Sequence, residues 1–138
     1  MPRKKKSKAK LRKELTGVFN KFIRLRDKGK PCISCGEYRV LYAGHFYPVG
    51  AFPEPTICFD ERVVNGQCFE CNNEKGGNEE GYKLGLISRH GSEIINELES
   101  LKLKARTIKW ASWEYEQRIK HYKALITVQK MGMGELID

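Results

Sequence analysis

The sequence lacks any run of about 18 or more apolar residues, and its charged opening "MPRKKKSKAK" has no apolar stretch behind it. The first absence excludes a helix crossing a bilayer, so no membrane partner is expected. The second excludes a secretory signal, whose apolar core would follow a basic start. A reducing, cytoplasmic setting is therefore expected, where cysteines more often hold metal than pair with one another. There is no internal repeat, and 138 residues suit one domain with a modest core.

Acid is scarce at one end only. Residues 1–30 hold 13 Lys and Arg against two acids, Glu14 and Asp27, whereas the other 108 hold 13 against 15. A near-neutral body with a basic leader fits either a nucleic-acid partner reached through its phosphates or a solvated tail.

Along the chain, residues 1–8 read as a disordered basic arm. Residues 9–30 form a basic amphipathic helix and its stop. Leu11, Leu15, Val18 and Phe22 recur at helical spacing to Asp27, Lys10, Lys13, Lys21 and Arg24 occupy the other face, and "KGKP" ends it. A strand is expected from Tyr38 to Ala43, continuing towards Tyr47, and a second in "TICFDERVV". Asn65–Gly66 reads as a turn, and a helix of about two turns should follow Cys68 and end near Gly76–Gly77. Residues 79–130 read as helical, with Ser92 as an N-cap and a helix from Trp113 to Gln129. Residues 131–138 read as a flexible tail. The aromatic and isoleucine stripes of these helices are read as packing residues. His90 and His121 have no partner pattern and are read as solvated or packed, and "GGNEEG" as a linker.

Two C-x2-C pairs stand out, Cys32/Cys35 and Cys68/Cys71. Thiolate is the soft anionic ligand zinc prefers, and two such knuckles supply a closed tetrahedron. Structural Zn2+ is the expected occupant, against a redox pair or unrelated thiols. A closed four-sulfur site has no open position for water, so this metal would be structural. Cys58 reads as a buried strand thiol.

The knuckles bracket chemistry. "YAGHFYP" lies between them and Asn72 directly follows the second. A lone histidine in an aromatic strand is ordinarily a packed residue. Pinning Cys35 and Cys68 to one ion would bring His45 beside a helix start carrying Asn72 and Lys75. Imidazole can deprotonate water. An amide oxygen can ligate Mg2+ or Mn2+, and a lysine can meet phosphate.

In order, C-x2-C, a "GH" strand, a return strand and C-x2-C-N resemble the zinc-bracketed HNH, or ββα-metal, nucleases of the endonuclease VII type. "IRLRDKGKPCISCG", "AGHF", "ERVVNGQCFECNNEKGGN" and "LISRHGSEIINELES" resemble the phage NinG (Rap) recombination proteins. The resemblance implies an α+β fold with a zinc-bracketed ββα-metal core over residues 31–78, flanked by N- and C-terminal helices. It implies cleavage of branched DNA, such as Holliday junctions and D-loops, in a bacterial host, by a protein that a phage or prophage encodes. His45 matches the general base, Asn72 the ligand of the catalytic Mg2+ or Mn2+, Lys75 the basic residue after it, and Asn78 a polar residue beyond.

Two positions depart from the pattern. Many HNH enzymes carry Asp or His just before the base, where this chain has Gly44. Either the ion is held by fewer protein ligands together with water and phosphate, or a nearby carboxylate substitutes, with Asp60 and Glu61 the candidates. The middle asparagine of the pattern falls on Val63, and Asn65 could replace it only if the turn is shifted.

The leading expectation is a divalent-metal-dependent endodeoxyribonuclease. Lys4, Lys5, Lys6, Lys10, Lys13, Lys21 and Arg24 would hold the DNA backbone, with Lys75 and Asn78 nearer the reacting phosphate. The alternatives are a non-catalytic zinc-finger protein that binds DNA as a recombination accessory, and a protein-interaction domain. Two symmetric cuts favour a homodimer, with Trp110, Trp113, Tyr115 and Tyr122 expected at its interface.

Overall fold

The computed structural model describes residues 4–137, so the outermost positions of the expected arm and tail, 1–3 and 138, lie outside the described residues. Helix α1 spans Lys8–Arg26. Ser7 accepts a hydrogen bond from Lys10 N to start it, and Leu11, Leu15, Phe19, Phe22 and Ile23 are buried along one face. The long C-terminal helix α5 spans Ser112–Ile137 and packs along α1. The stretch expected as a tail from residue 131 therefore continues this helix as far as Ile137. Phe19 meets Tyr122 edge to face at 4.9 Å, and Phe59 stacks on Trp110 at 5.7 Å. Trp110, Tyr115 and Tyr122 thus belong to the chain's own core, and of the four expected interface aromatics only Trp113 is exposed.

Strand β1 spans Leu41–His45 and β2 spans Val64–Cys68, antiparallel, with Leu41 opposite Cys68 and His45 opposite Val64. The sheet lies later in the chain than expected. "TICFDERVV" is not a strand, because Pro55 opens a one-turn helix, α2 (Pro55–Cys58), at a position that needs no N–H. Asn65–Gly66 is not a turn but the middle of β2. Gly66 is needed there because a Cβ would lie 2.7 Å from Leu41 and 3.0 Å from the buried Asp27 side chain. Asp27, at the end of α1, accepts from Gly66 N at 2.7 Å and so ties the first helix to the sheet.

The two-turn helix expected after Cys68 is a single π-helical turn, Glu70–Glu74. Gly76, Gly77 and Asn78 then take left-handed backbone angles (φ 59°, 98° and 40°), a run that glycine accommodates without strain. This reversal starts α3 (Glu79–His90), which crosses the first knuckle. Its Gly81 and Gly85 leave room for the carbonyls of Ser34 and Ile33, to which a Cβ would come within 2.2 and 1.9 Å. Helix α4 (Ile94–Ala105) begins after Glu93, not at Ser92. Among the described residues no helix is long and apolar enough to cross a membrane.

Candidate metal centre and the histidine cavity

The sulfurs of Cys32, Cys35, Cys68 and Cys71 lie within 4.8 Å of one another. Cys35 Sγ and Cys68 Sγ are 3.9 Å apart. A tetrahedron with Zn–S bonds of about 2.3 Å has an edge of about 3.8 Å, so the four thiols fit a metal such as zinc. Burial works against ionising Cys32, but N–H groups of Cys68, Cys35 and Ser34 outweigh it and bring the thiol down to about 7. Burial pushes Cys71 up to about 12. Asn78, expected as a polar contact for DNA, caps α3 by accepting from Gly81 N, and its Nδ2 donates to Cys71 Sγ at 3.4 Å. A ligand sulfur and the helix that follows are thereby joined through one amide. Cys58 stands apart, buried on α2, with its thiol donating to Phe52 O at 3.3 Å.

The metal cluster sits at the Leu41–Cys68 end of the hairpin, and His45 at the other end, four residue pairs along. His45 is half-buried, and burial lowers its pKa below the ordinary histidine value, opposed by a backbone contact at Cys58. It lines a cavity of about 260 Å³ together with Tyr47, Gly76, Gly77, Glu79 and Lys83. Asn72 is half-buried in the π-helical turn and Lys75 is exposed at its end, 3.8 Å from Glu70. Neither is among the residues lining that cavity. The chain reversal at Gly76–Gly77 instead presents Glu79, a residue that sequence reasoning passed over within "GGNEEG".

Gly44 has a structural reason. A Cβ there would meet the Gln67 amide at 2.1 Å, so the space an aspartate would use is filled from β2. Gln67 is buried and its Nε2 donates to Ser34 Oγ at 2.8 Å and to Gly77 O at 2.6 Å, while its Oε1 has no partner. Asp60 and Glu61, the candidate substitutes, are engaged elsewhere. Asp60 pairs with Arg62 at 2.9 Å, and Glu61 accepts from Tyr122 Oη at 3.1 Å. Asn65 is buried opposite Gly44. It donates to Arg62 O at 2.9 Å and to Tyr82 Oη at 3.2 Å, and so braces the segment entering β2. Tyr82 Oη in turn donates to Gly44 O at 2.7 Å. Tyr82 lies on the helical stripe it shares with Leu86 on α3, but Asp27, Asn65 and Gln67 have no periodic signature; only the polar types of Asn65 and Gln67 inside a β-rich stretch could have drawn notice.

Lys4, Lys5, Lys6, Lys10, Lys13, Lys21 and Arg24 are all exposed. Lys6 pairs with Glu14 at 2.9 Å, whereas Lys13 and Lys21 border an open groove between α1 and α5. His90 and His121 are exposed on helices.

A family model described as the bacteriophage lambda NinG protein matches residues 2–131. The ninG protein of Escherichia phage lambda is 40% identical over 114 residues, which cover 78% of this chain and 55% of that protein. The ninG protein of Escherichia phage 933W is 42% identical over 90 residues, or 64% of this chain and 44% of its own length. That of Salmonella phage P22 is 38% identical over 114 residues, 78% and 55% of the two chains. The chain thus spans about half the length of the curated relatives it matches. No solved structure matches. With a family model covering nearly all of its residues, the chain belongs to the NinG family of phage lambda.

Proposed function

We propose that this chain is a divalent-metal-dependent endonuclease of the zinc-bracketed HNH type, acting on branched DNA such as Holliday junctions and D-loops. The observation that carries the reading is the cavity that His45 shares with Gly76, Gly77 and Glu79, the segment immediately beyond the second cysteine knuckle. His45 is held below its ordinary pKa by burial and is neutral at pH 7, ready to take a proton from a water. Asn72 precedes the Gly76–Gly77 reversal in the chain and Glu79 follows it; the two are the oxygen donors proposed for Mg2+ or Mn2+, Glu79 from the cavity lining and Asn72 from outside it. Two protein ligands suffice for such an ion, which keeps several waters and takes phosphate oxygens as well. When bound, it supplies charge stabilisation at the phosphodiester's leaving oxygen. Lys75 and the exposed cations of α1 hold the DNA backbone, and two symmetric cuts are proposed to require a homodimer.

A specific observation favours the second reading, a non-catalytic zinc protein that binds DNA. Among the described residues, the four cysteines are the one group of three or more His, Cys, Asp or Glu side chains that converge, and Gln67 fills the place of the usual carboxylate.

Cleavage of a synthetic four-way junction in Mg2+ or Mn2+ separates the two. His45→Ala is expected to lower the rate by about 10²- to 10⁴-fold while junction binding is kept. A base must be unprotonated, so the acid limb of the wild-type profile should fall below the ordinary histidine value of about 6.5. Undiminished cutting by the variant removes His45 from the mechanism. Binding without nicking under either divalent ion selects the accessory protein.

A further inference from the structure

Beside the metal end of the hairpin, α1 and the segment entering β1 form a groove lined by Lys21, Arg24, Lys28 and Arg39, with Val40 and Leu41 at its apolar wall. No carboxylate is among its lining residues. Arg39 is partly neutralised by Glu37 and Glu70, at 2.8 and 3.0 Å, so α1 carries most of the positive charge. Lys130 of α5 and Arg24 crowd Lys21, and these like charges lower its pKa. Such a cluster repels itself until a polyanion enters it.

An apolar strip adjoins the groove through Val40. Tyr38, Val40, Tyr42 and Phe69 are 77%, 75%, 45% and 56% exposed, and no described part of the chain covers them. Tyr38 and Val40 lie in the segment entering β1 and Tyr42 within it, and Val40 is also a lining residue of the groove. Phe69, just beyond β2, completes a ring pair with Tyr42 at 6.3 Å. Rings beside a cationic channel are the construction that holds unpaired bases, since every base has a face to stack and every nucleotide a phosphate to pair. A duplex keeps its base faces hidden and would leave the rings idle. Branched DNA exposes unpaired bases where its strands part.

We propose that this groove binds a single strand of DNA, its phosphates along Lys21, Arg24 and Lys28 and its unpaired bases against Tyr42 and Phe69. The site rests on the DNA-binding part of the reading above and not on catalysis.

The test is fluorescence anisotropy of the zinc-loaded full chain with a labelled single strand of about 20 nucleotides and with the matching duplex, without Mg2+ or Mn2+. Wild type should prefer the strand. Tyr42→Ala with Phe69→Ala should weaken strand binding about tenfold or more, with duplex binding changed less than about twofold. Lys21→Gln with Arg24→Gln and Lys28→Gln should reduce the salt slope of strand binding by about 2. These side chains are exposed, so zinc content and far-ultraviolet dichroism should match wild type, and each aromatic substitution alone should act in the same direction. Equal strand affinity in the aromatic variant, or a preference for duplex, overturns the proposal. So does binding of an acidic peptide that the same substitutions abolish while strand binding persists. A chain that binds the strand in this way yet cuts no branched substrate keeps the groove and loses the nuclease. A chain that cuts but binds strands independently of the rings loses the groove alone.

Discussion

Helices α1 and α5 meet through rings, whereas the stretch from Pro31 to His90 adds to ring contacts of its own, such as Phe46 against Tyr82 at 5.3 Å, a cluster of sulfurs, close backbone carbonyls and buried amides. In the helical pair Phe19 and Phe22 surround Tyr122, both at 4.9 Å, and Gly17 has nothing within 4 Å of where a Cβ would stand. In the cysteine-bracketed stretch Gly44, Gly66, Gly81 and Gly85 are each pressed against another segment, and Asn65 and Gln67 are buried with their hydrogen bonds directed across it. Packed rings tolerate exchange when volume is kept. Backbone approaching backbone tolerates no added atom. The stretch carrying the metal cluster and His45 is therefore the less forgiving of the two, which suits a site whose groups must hold fixed positions.

The largest expected effect comes from taking the metal away, because the binding free energy of a structural zinc, about 10–16 kcal/mol in small zinc domains, becomes folding free energy. Cys68→Ser or chelation should strip hydrogen-exchange protection from β1, β2 and α3 first and leave α1 and α5 protected for longer. Lowering the pH should release the metal as protons compete for the four sulfurs. Simultaneous loss of protection in all of these helices and strands would mean that the two regions unfold as one unit, and the comparison would fail.

Two glycine substitutions should then differ in sign. Gly85→Ala drives a methyl to 1.9 Å from Ile33 O, a backbone atom of the first knuckle, and α3 must lift away. Denaturant unfolding should show a loss of about 3 kcal/mol, at the upper end of overpacking costs. Gly17→Ala sits within α1 in open space and should gain about 0.5–1 kcal/mol. Equal and small effects at both positions would show that α3 has slack against the knuckle.

Asp27 joins the two regions and ranks next. Burial acts to raise its pKa, but the Arg26 guanidinium and Gly66 N–H outweigh it and hold the carboxyl below its ordinary value. A depressed carboxyl contributes stability above its unfolded-state pKa of about 3.9, and that contribution is lost as pH falls through the folded value. Asp27→Asn should cost about 1–3 kcal/mol at pH 7 and flatten the fall in stability below about pH 4. An unchanged acid limb would take Asp27 out of the joint between α1 and β2.

The helical pair was the more legible region. Leu11, Leu15, Phe19 and Phe22 on α1, and Ile119, Tyr122 and Ile126 on α5, repeat at the helical period and are buried as that period demands. The two C-x2-C pairs were equally plain, since ligand spacing is local. The hairpin was not. "TICFDERVV" has strand-like composition, but Pro55 commits its start to a helix. Asn65–Gly66 has turn-like composition, but contacts from Asp27, 39 positions away, require the glycine inside a strand. Gln67 could not be foreseen as the occupant of Gly44's side, because that depends on register across β1 and β2. Glu79 was hidden for a similar reason. Three consecutive left-handed residues announce a reversal but not the cavity into which it leads.

The smallest effect belongs to the surface of the helical pair. Glu14 on α1 meets Lys6 at 2.9 Å and Lys123 of α5 at 3.4 Å, so it is the charged tie between the two long helices. The Lys6 hydrogen bond, with Lys123 adding to it, lowers the pKa of Glu14. Both lysines are half in solvent, where holding two long side chains in one geometry offsets most of the Coulomb gain. Glu14→Gln should cost about 0.2–1 kcal/mol at low salt and less at about 0.5 M salt, read by thermal unfolding. The shape of that dependence matters more than its size. If the ring contacts between Phe19, Phe22 and Tyr122 hold α1 to α5, the loss should vanish as salt rises. A loss of several kcal/mol that salt does not screen would make Glu14 part of the mortar, and the helical pair would then be built more like the cysteine-bracketed stretch than its aromatic interior implies.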